Sequence, residues 1–129
     1  MKLPDEARLK RGRAAAIDCR AENCDKCLGV CGFSAIRLEE GRPYSDPSKC
    51  VGCGGCVSFC PERAIILVKD RSDGTFEVTL PHDGELPGID DIVGGNARVI
   101  QAIPKRPGTS HALVRAVMNA NDFRKEFSV

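Results

Sequence analysis

Eight cysteines stand out in this sequence as candidate metal ligands. They fall into two groups of four, Cys19, Cys24, Cys27, Cys31 and Cys50, Cys53, Cys56, Cys60. The second group reads C-x2-C-x2-C-x3-C and is followed by Pro61, whereas the first reads C-x4-C-x2-C-x3-C and is followed by Gly32. Thiolates are ligands for soft metals and iron–sulfur clusters, and close cysteine spacing in a reducing compartment favours these roles over disulfides.

The two groups belong to an internal duplication of the chain. A shift of 29 positions superimposes three cysteines of each group, Cys24 on Cys53, Cys27 on Cys56 and Cys31 on Cys60. The same shift superimposes apolar residues that follow them, Ala35 on Ala64, Ile36 on Ile65 and Leu38 on Leu67. The leading cysteines break this register, because the first cysteine loop has two extra residues. An internal repeat of this kind predicts two similar structural units.

The spacing within each group suits a cuboidal iron–sulfur cluster. Three thiolates within seven residues can hold three corners of one cluster, and in the bacterial run that ends in C-P the fourth cysteine ligates the other cluster. Applied to this chain, that pattern assigns one cluster to Cys50, Cys53, Cys56 and Cys31. It assigns the other to Cys19, Cys24, Cys27 and Cys60. We therefore predict two [4Fe–4S] clusters whose binding is coupled to folding.

Two other uses of the cysteines fit the spacing less well. Structural zinc uses two C-x2-C pairs separated by a longer loop, and a C-x2-C pair is poorly placed for a relaxed disulfide. The longer first loop leaves a further alternative. Either the loop bulges and Cys19 is a ligand, or Cys19 is not a ligand and its site holds a three-iron or incomplete cluster. The intact register of the other cysteines favours the bulge.

Each repeat needs the same elements to position its cysteines. Extended segments are predicted before and after each cysteine loop, at 14–18, 35–39, 44–46 and 64–69. A short helix is predicted to carry the third and fourth cysteines of each group. Three glycines let the backbone turn tightly between the ligands, Gly52, Gly54 and Gly55. Pro61 cannot continue the helix that precedes it.

The composition bounds the protein around these repeats. The chain has 129 residues, 42% of them hydrophobic and 29% charged, which is typical of a soluble globular protein of one domain or one small domain with an appendage. The net charge of +1 argues against electrostatic nucleic-acid binding. The polar N-terminal segment is not a secretory signal, and no apolar run near the cysteines approaches a membrane span. These features predict a cytoplasmic protein.

Residues 71–129 follow the cysteine repeats and are predicted to form a small β-rich extension. Strand patterns occur at 75–81, 89–93 and 97–103, the stretch 112–118 fits either a strand or a helix, and a short helix is expected near 122–127. The sequence of this extension does not combine a nucleophilic residue with a general base in a recognisable pattern, so we expect no catalytic site in it. His82 and His111 are interpreted as solvated surface residues. The basic segment 1–13 is interpreted as a solvated segment, with a docking arm for an acidic partner as the alternative.

At residues 18–69 the sequence resembles a bacterial-type two-cluster ferredoxin. That resemblance implies an α+β, ferredoxin-like (βαβ)2 domain at 14–70 and two [4Fe–4S] clusters within electron-transfer range. The lead-in at 8–19, the cysteine groups and Val78-Thr79-Leu80-Pro81 are similar to ferredoxin-like subunits of multi-subunit flavin-dependent amino-acid dehydrogenases of the proline, hydroxyproline and opine types. This second resemblance implies flavin-bearing partner subunits.

Three functions remain open at this level. The chain could be an electron-transfer subunit of a larger oxidoreductase. Its C-terminal extension and its near-neutral charge favour this role, because a freely diffusing carrier benefits from an acidic surface that steers it to its partners. The alternative is a free soluble ferredoxin, which would migrate as a lone 13.9 kDa species. A metal-stabilised scaffold module without redox turnover would show no reducible cluster by EPR.

Overall fold

The computed structural model describes residues 3–17, 35–40, 42–61, 63–94 and 96–127. Within them lie three helices, α1 (Glu6–Arg11), α2 (Gly55–Phe59) and α3 (Ala120–Phe127). The strands are β1 (Ala14–Ile17), β2 (Ile36–Glu39), β3 (Arg42–Ser45), β4 (Ile65–Asp70), β5 (Thr75–His82), β6 (Ile92–Val93), β7 (Ala97–Ile103) and β8 (Ala112–Asn119). Mostly β-structure with a few helices confirms the α+β class at a coarse level.

The elements that flank the second cysteine group follow the predicted order. β3 leads into the cysteine loop, α2 carries Cys56, and β4 follows. α2 ends at Phe59, so that Cys60 caps the helix instead of lying inside it. The helix predicted for the first group, together with Cys19, Cys24, Cys27 and Cys31, falls in the stretch 18–34, between the described segments.

Two sheets organise the described part of the chain. Six strands form one antiparallel sheet in the order β1-β4-β5-β8-β7-β6, and β2 pairs with β3 in a separate hairpin. β4 pairs with β5, Val68 opposite Val78, across a turn at 71–74. The predicted boundary between 14–70 and 71–129 therefore falls in a turn of one continuous sheet, and the division into these units stays a prediction.

β4 lies at the centre of the packing and is buried on both faces. Its side chains alternate with the period of two that a strand imposes. Ile66 and Val68 contact a core that also contains Phe123 of α3 and Leu9 of α1, whereas Leu67 joins a second core beneath α2. The strand that follows the cysteines thus anchors the site to both sides of the sheet.

The C-terminal elements agree with the sequence patterns in all but one place. The ambiguous stretch 112–118 is a strand, and the closing helix is α3. The strand expected at 89–93 is reduced to β6, because the preceding residues form a turn in which the Gly88 N–H donates to Asp91 Oδ2 at 2.8 Å. None of the helices in the described segments is long and apolar enough to cross a membrane.

The interpretation of 1–13 as a solvated segment or docking arm is wrong for Arg8 and Arg13, whereas Lys10 and Arg11 are exposed. Asp5 caps α1 by accepting a hydrogen bond from the Arg8 N–H. Arg13 donates to the buried carboxylate of Glu77 at 2.8 Å, which ties the segment to β5. These cations are used inside the fold, because backbone carbonyls and a buried carboxylate need donors.

Candidate metal centre

A tight turn delivers Cys50 to the site. The N–H groups of Lys49 and Cys50 donate to the Asp46 carbonyl at the end of β3. The Asp46 carboxylate accepts from the hydroxyl and the N–H of Ser48, and these bonds hold the pKa of Asp46 below its usual range. The turn fixes where the cysteine loop begins.

Two glycines are required where the cysteine loop passes the rest of the fold. Gly52 has φ +72°, and a Cβ there would lie 2.5 Å from the Arg13 carbonyl oxygen. Gly54 has φ +86° and approaches the Leu113 side chain. A residue with a side chain would be strained at both positions. The predicted role of glycine is confirmed at Gly52 and Gly54, where the loop passes close to Arg13 and to Leu113 of β8, but Gly55 has no such constraint.

Three cysteines share one pocket. Cys50, Cys53 and Cys56 line it, and the intervening loop backbone curls around it. The remaining walls are mostly small or apolar, and they come from β1, β2, β3 and β4 and the residue before β2: Ala15, Ala35, Ile36, Ser45 and Leu67. Cys56 is buried, Cys50 is partly buried and Cys53 is exposed. The predicted juxtaposition of these three thiols is therefore observed.

The pocket contains donors directed at sulfur. The Ala15 N–H donates to Cys50 Sγ at 3.4 Å. The Ser45 hydroxyl is buried and has no hydrogen-bond partner within the described residues. A set of thiols, an N–H aimed at sulfur, an unpaired hydroxyl and mostly apolar walls fits an iron–sulfur cluster, whose sulfurs accept hydrogen bonds. Cys50, Cys53 and Cys56 would hold three of its corners.

The arrangement suits a cluster better than one metal ion. Thiolates bound about 2.3 Å from a single zinc ion lie within about 4 Å of one another. Among the residues that the structure describes, no three histidine, cysteine or acidic side chains converge in this way. A cuboidal cluster spreads its ligands over a larger volume than a single ion does.

Cys60 is buried but does not line the pocket of the other three cysteines. Its surroundings belong to the core beneath α2, with Val57 and Ile65. The Cys60 N–H donates to the Cys56 carbonyl and ends α2. Cys60 thus lies outside the pocket that the other three thiols line, although it shares the core beneath α2 with Cys56.

The C-terminal half caps α2 through a connection that the sequence did not reveal. The N–H groups of Ser110 and His111 donate to the Ser58 carbonyl at 2.8 and 2.9 Å, and the Ser110 hydroxyl donates to the Phe59 carbonyl. The last carbonyls of a helix have no partner inside it, so these bonds satisfy groups that would otherwise be left unpaired. Residues 110–111 therefore fix the end of the helix next to Cys60.

His111 is not a solvated surface histidine, and that interpretation is wrong. It is 7% exposed, and its Nε2 lies 2.9 Å from the Cys60 carbonyl oxygen. A carbonyl can only accept, so Nε2 carries the hydrogen of this bond. Nδ1 bonds to Asp83 at 2.7 Å, and this contact holds the pKa of Asp83 below its usual range. His82 stays near the surface, bonded to the Glu85 carbonyl.

Arg8 is a second positioning residue that sequence reasoning missed. Its guanidinium donates to four carbonyls, those of Pro47, Gly12, Arg13 and Cys50, at 2.7 to 3.0 Å. Two of these carbonyls precede β1 and two flank the turn into the cysteine loop. A planar cation with five donors suits this convergence in a way that lysine does not. The only indication of this role in the sequence is that the segment 8–13 is rich in basic residues.

Replacing Arg8 with alanine should loosen the cysteine loop. Hydrogen bonds to charged groups contribute about 1.5–3 kcal/mol each, and the carbonyls would lose their shared donor. We expect the free energy of unfolding to fall by at least about 2 kcal/mol and iron release to a chelator to accelerate. Lys10→Ala is the control, because Lys10 pairs with Glu6 on the surface. Equal iron-release rates in the two variants would contradict the role of Arg8.

Comparison with known proteins supports the cluster chemistry of this segment. Residues 43–66 match the model of the 4Fe-4S binding domain. The chain is 44% identical over 48 residues to one component of the Na(+)-translocating ferredoxin:NAD(+) oxidoreductase complex of Acetobacterium woodii, covering 36% of this chain and 14% of that protein. It is 41% identical over 58 residues to an indolepyruvate oxidoreductase subunit of Methanothermobacter thermautotrophicus, covering 43% of this chain and 9% of that one.

A third relative is an uncharacterized ferredoxin of Methanocaldococcus jannaschii, 33% identical over 66 residues, with 51% of this chain and 43% of the relative covered. The chain thus spans less than half the length of each of these three proteins, and no solved structure matches it. The converging thiols and the matched segment coincide. Residues 43–66 therefore form a 4Fe-4S binding segment similar to those of ferredoxins and oxidoreductase subunits.

Proposed function

We propose that this chain is the electron-transfer subunit of a larger oxidoreductase and conducts electrons through two [4Fe–4S] clusters. The observation that carries the proposal is the pocket of Cys50, Cys53 and Cys56, whose other walls are mostly small or apolar and which reaches the surface at Cys53. A bound cluster would supply one-electron oxidation and reduction. Its exposed corner would then be the place where electrons enter or leave.

The chain's own residues line this site and fix its position. Apolar side chains of β1, β2 and β4 shield the inner thiols, and Arg8 holds the loop against β1. Val51, between two ligands, is 57% exposed and adds an apolar contact point beside Cys53.

The proposal includes crossed ligation. Cys31 would complete the cluster of Cys50, Cys53 and Cys56, and Cys60 would complete the cluster of Cys19, Cys24 and Cys27. Crossed ligation agrees with a Cys60 that does not line the pocket of the other three thiols, although it shares a core with Cys56. The duplication supports the second cluster, because each repeat supplies a similar cysteine group.

The partners in this proposal are subunits that bear flavin and oxidise an amino acid or another amine. Two of the relatives are named as oxidoreductase subunits, which supports a place in a complex. The resemblance to ferredoxin-like subunits of amino-acid dehydrogenases supports the flavin partner, and the near-neutral charge suits a fixed contact. We place the protein in the cytoplasm, where free thiols are kept reduced.

Anaerobic purification of the tagged full chain from its own cells tests the proposal. We expect it to elute well above 13.9 kDa with subunits that contain flavin, and its clusters to be reduced when a substrate amine is added. Elution as a lone species with reducible clusters would contradict the subunit role and favour the free ferredoxin. Absence of any EPR signal after reduction would contradict electron transfer altogether.

A further inference from the structure

Ser45 has a buried hydroxyl that the fold leaves without a partner. The residue ends β3 and is 5% exposed. Its Oγ makes no hydrogen bond within the described residues, although buried polar groups are nearly always paired. An unpaired buried hydroxyl in a native fold indicates a partner that is bound there in the working protein.

The surroundings of Ser45 identify that partner as sulfur. Ser45 lines the same pocket as Cys50, Cys53 and Cys56, together with the apolar side chains of Ala35 and Ile36. The polar side chains of this pocket are the three thiols and Ser45 itself. The cysteine sulfurs, and the inorganic sulfurs of a cluster bound by them, are the acceptors that this pocket provides.

The hydroxyl is a feature of one repeat and is missing from the corresponding strand of the other. Ile36 and Ile65 correspond under the duplication, and each pairs with a residue of the strand that precedes a cysteine group. Ile36 pairs with Ser45, whereas Ile65 pairs with Ile17. The strand Ala14–Ile17 contains no hydroxyl residue at all. The two sites therefore differ at this position.

We propose that the Ser45 hydroxyl donates a hydrogen bond to a sulfur of the cluster held by Cys50, Cys53 and Cys56, and thereby raises its reduction potential relative to the cluster of the first repeat. The inference rests on the proposed cluster at this site. A donor to cluster sulfur stabilises the reduced, more negative form, and such hydrogen bonds are among the factors that set cluster potentials. Because only one of the two clusters would receive this hydrogen bond, their reduction potentials would differ, and electrons would favour the cluster with the higher potential.

EPR-monitored redox titration of the anaerobic full chain tests this. In Ser45→Ala we expect one of the two potentials to fall and the other to stay unchanged. Ser48→Ala is the matched control, because the Ser48 hydroxyl is exposed and bonds to Asp46. Ser45→Thr keeps the hydroxyl and should keep the higher potential.

The outcomes separate this inference from the function on which it rests. Unchanged potentials in Ser45→Ala with full iron content would overturn the role of Ser45 and leave the clusters in place. A wild-type chain without iron–sulfur absorption would instead overturn the cluster proposal. If Ser45→Ala loses the cluster while Ser45→Thr keeps it, the hydroxyl is needed for occupancy and the hydrogen bond is supported. Loss from both would overturn it, because the size of residue 45 would then matter.

Discussion

A chain that carries both Cys56→Ala and Cys60→Ala is expected to lose all its iron. A chain that carries Cys24→Ala and Cys60→Ala is expected to keep about four iron atoms. The reason is crossed ligation, which places Cys24 and Cys60 on one cluster and Cys56 on the other. Both chains lack two cysteines, so the comparison is matched in the number of ligands removed.

Iron and sulfide analysis of the two double variants, purified without oxygen, makes the measurement. The single variants Cys56→Ala and Cys60→Ala should each retain about four iron atoms, half the wild-type content. The opposite pattern in the double variants, with iron kept when Cys56 and Cys60 are both replaced, would show that each cysteine group holds its own cluster. An iron content of about four in the wild type would show one cluster.

Ending the chain at residue 72 is expected to abolish both folding and iron binding. Residues 14–70 would lose β5, which covers the edge of β4 and pairs with Val68. Ile66, Leu67 and Val68 are each at most 5% exposed in the full chain. Burial of such side chains stabilises a protein by about 1.5–3 kcal/mol each, so their exposure would consume much of the stability of a small domain.

His111→Ala in the full chain should destabilise the protein less than this truncation. It removes the donor to the Cys60 carbonyl but leaves the sheet intact. We expect the free energy of unfolding to fall by about 1–3 kcal/mol, the cost of an unpaired buried acceptor. Circular dichroism and iron analysis compare the variants. A truncated chain with native circular dichroism and full iron would show that 14–70 folds alone and that the extension is an independent appendage.

The sequence predicted those features that depend on the spacing of residues close together in the chain. The register of Cys50, Cys53 and Cys56 predicted thiols around one pocket, and the alternation of Phe76, Val78 and Leu80 predicted β5, because local spacing decides both. These features depend on neighbours along the chain. Even the C-terminal helix was placed to within two residues of its start.

Other parts of the site depend on residues far apart in the chain. Arg8 reaches Cys50 across 42 positions, and His111 reaches Cys60 across 51. The sequence around a single arginine or histidine does not indicate a distant partner. On sequence alone, both residues are therefore interpreted as solvated surface residues. Ser45 has the same limitation, because its unpaired hydroxyl becomes visible only when the strands are placed around the pocket.

The backbone at both ends of the second cysteine group accepts hydrogen bonds from residues that are distant in the chain. Arg8 holds the Cys50 carbonyl, and His111 holds the Cys60 carbonyl. Residue 111 is synthesised some fifty residues after Cys60, so the donor to the Cys60 carbonyl is among the last parts of the site to be supplied. We therefore expect the cysteine loop to reach its final form, and to take up iron, only after nearly the whole chain has been synthesised.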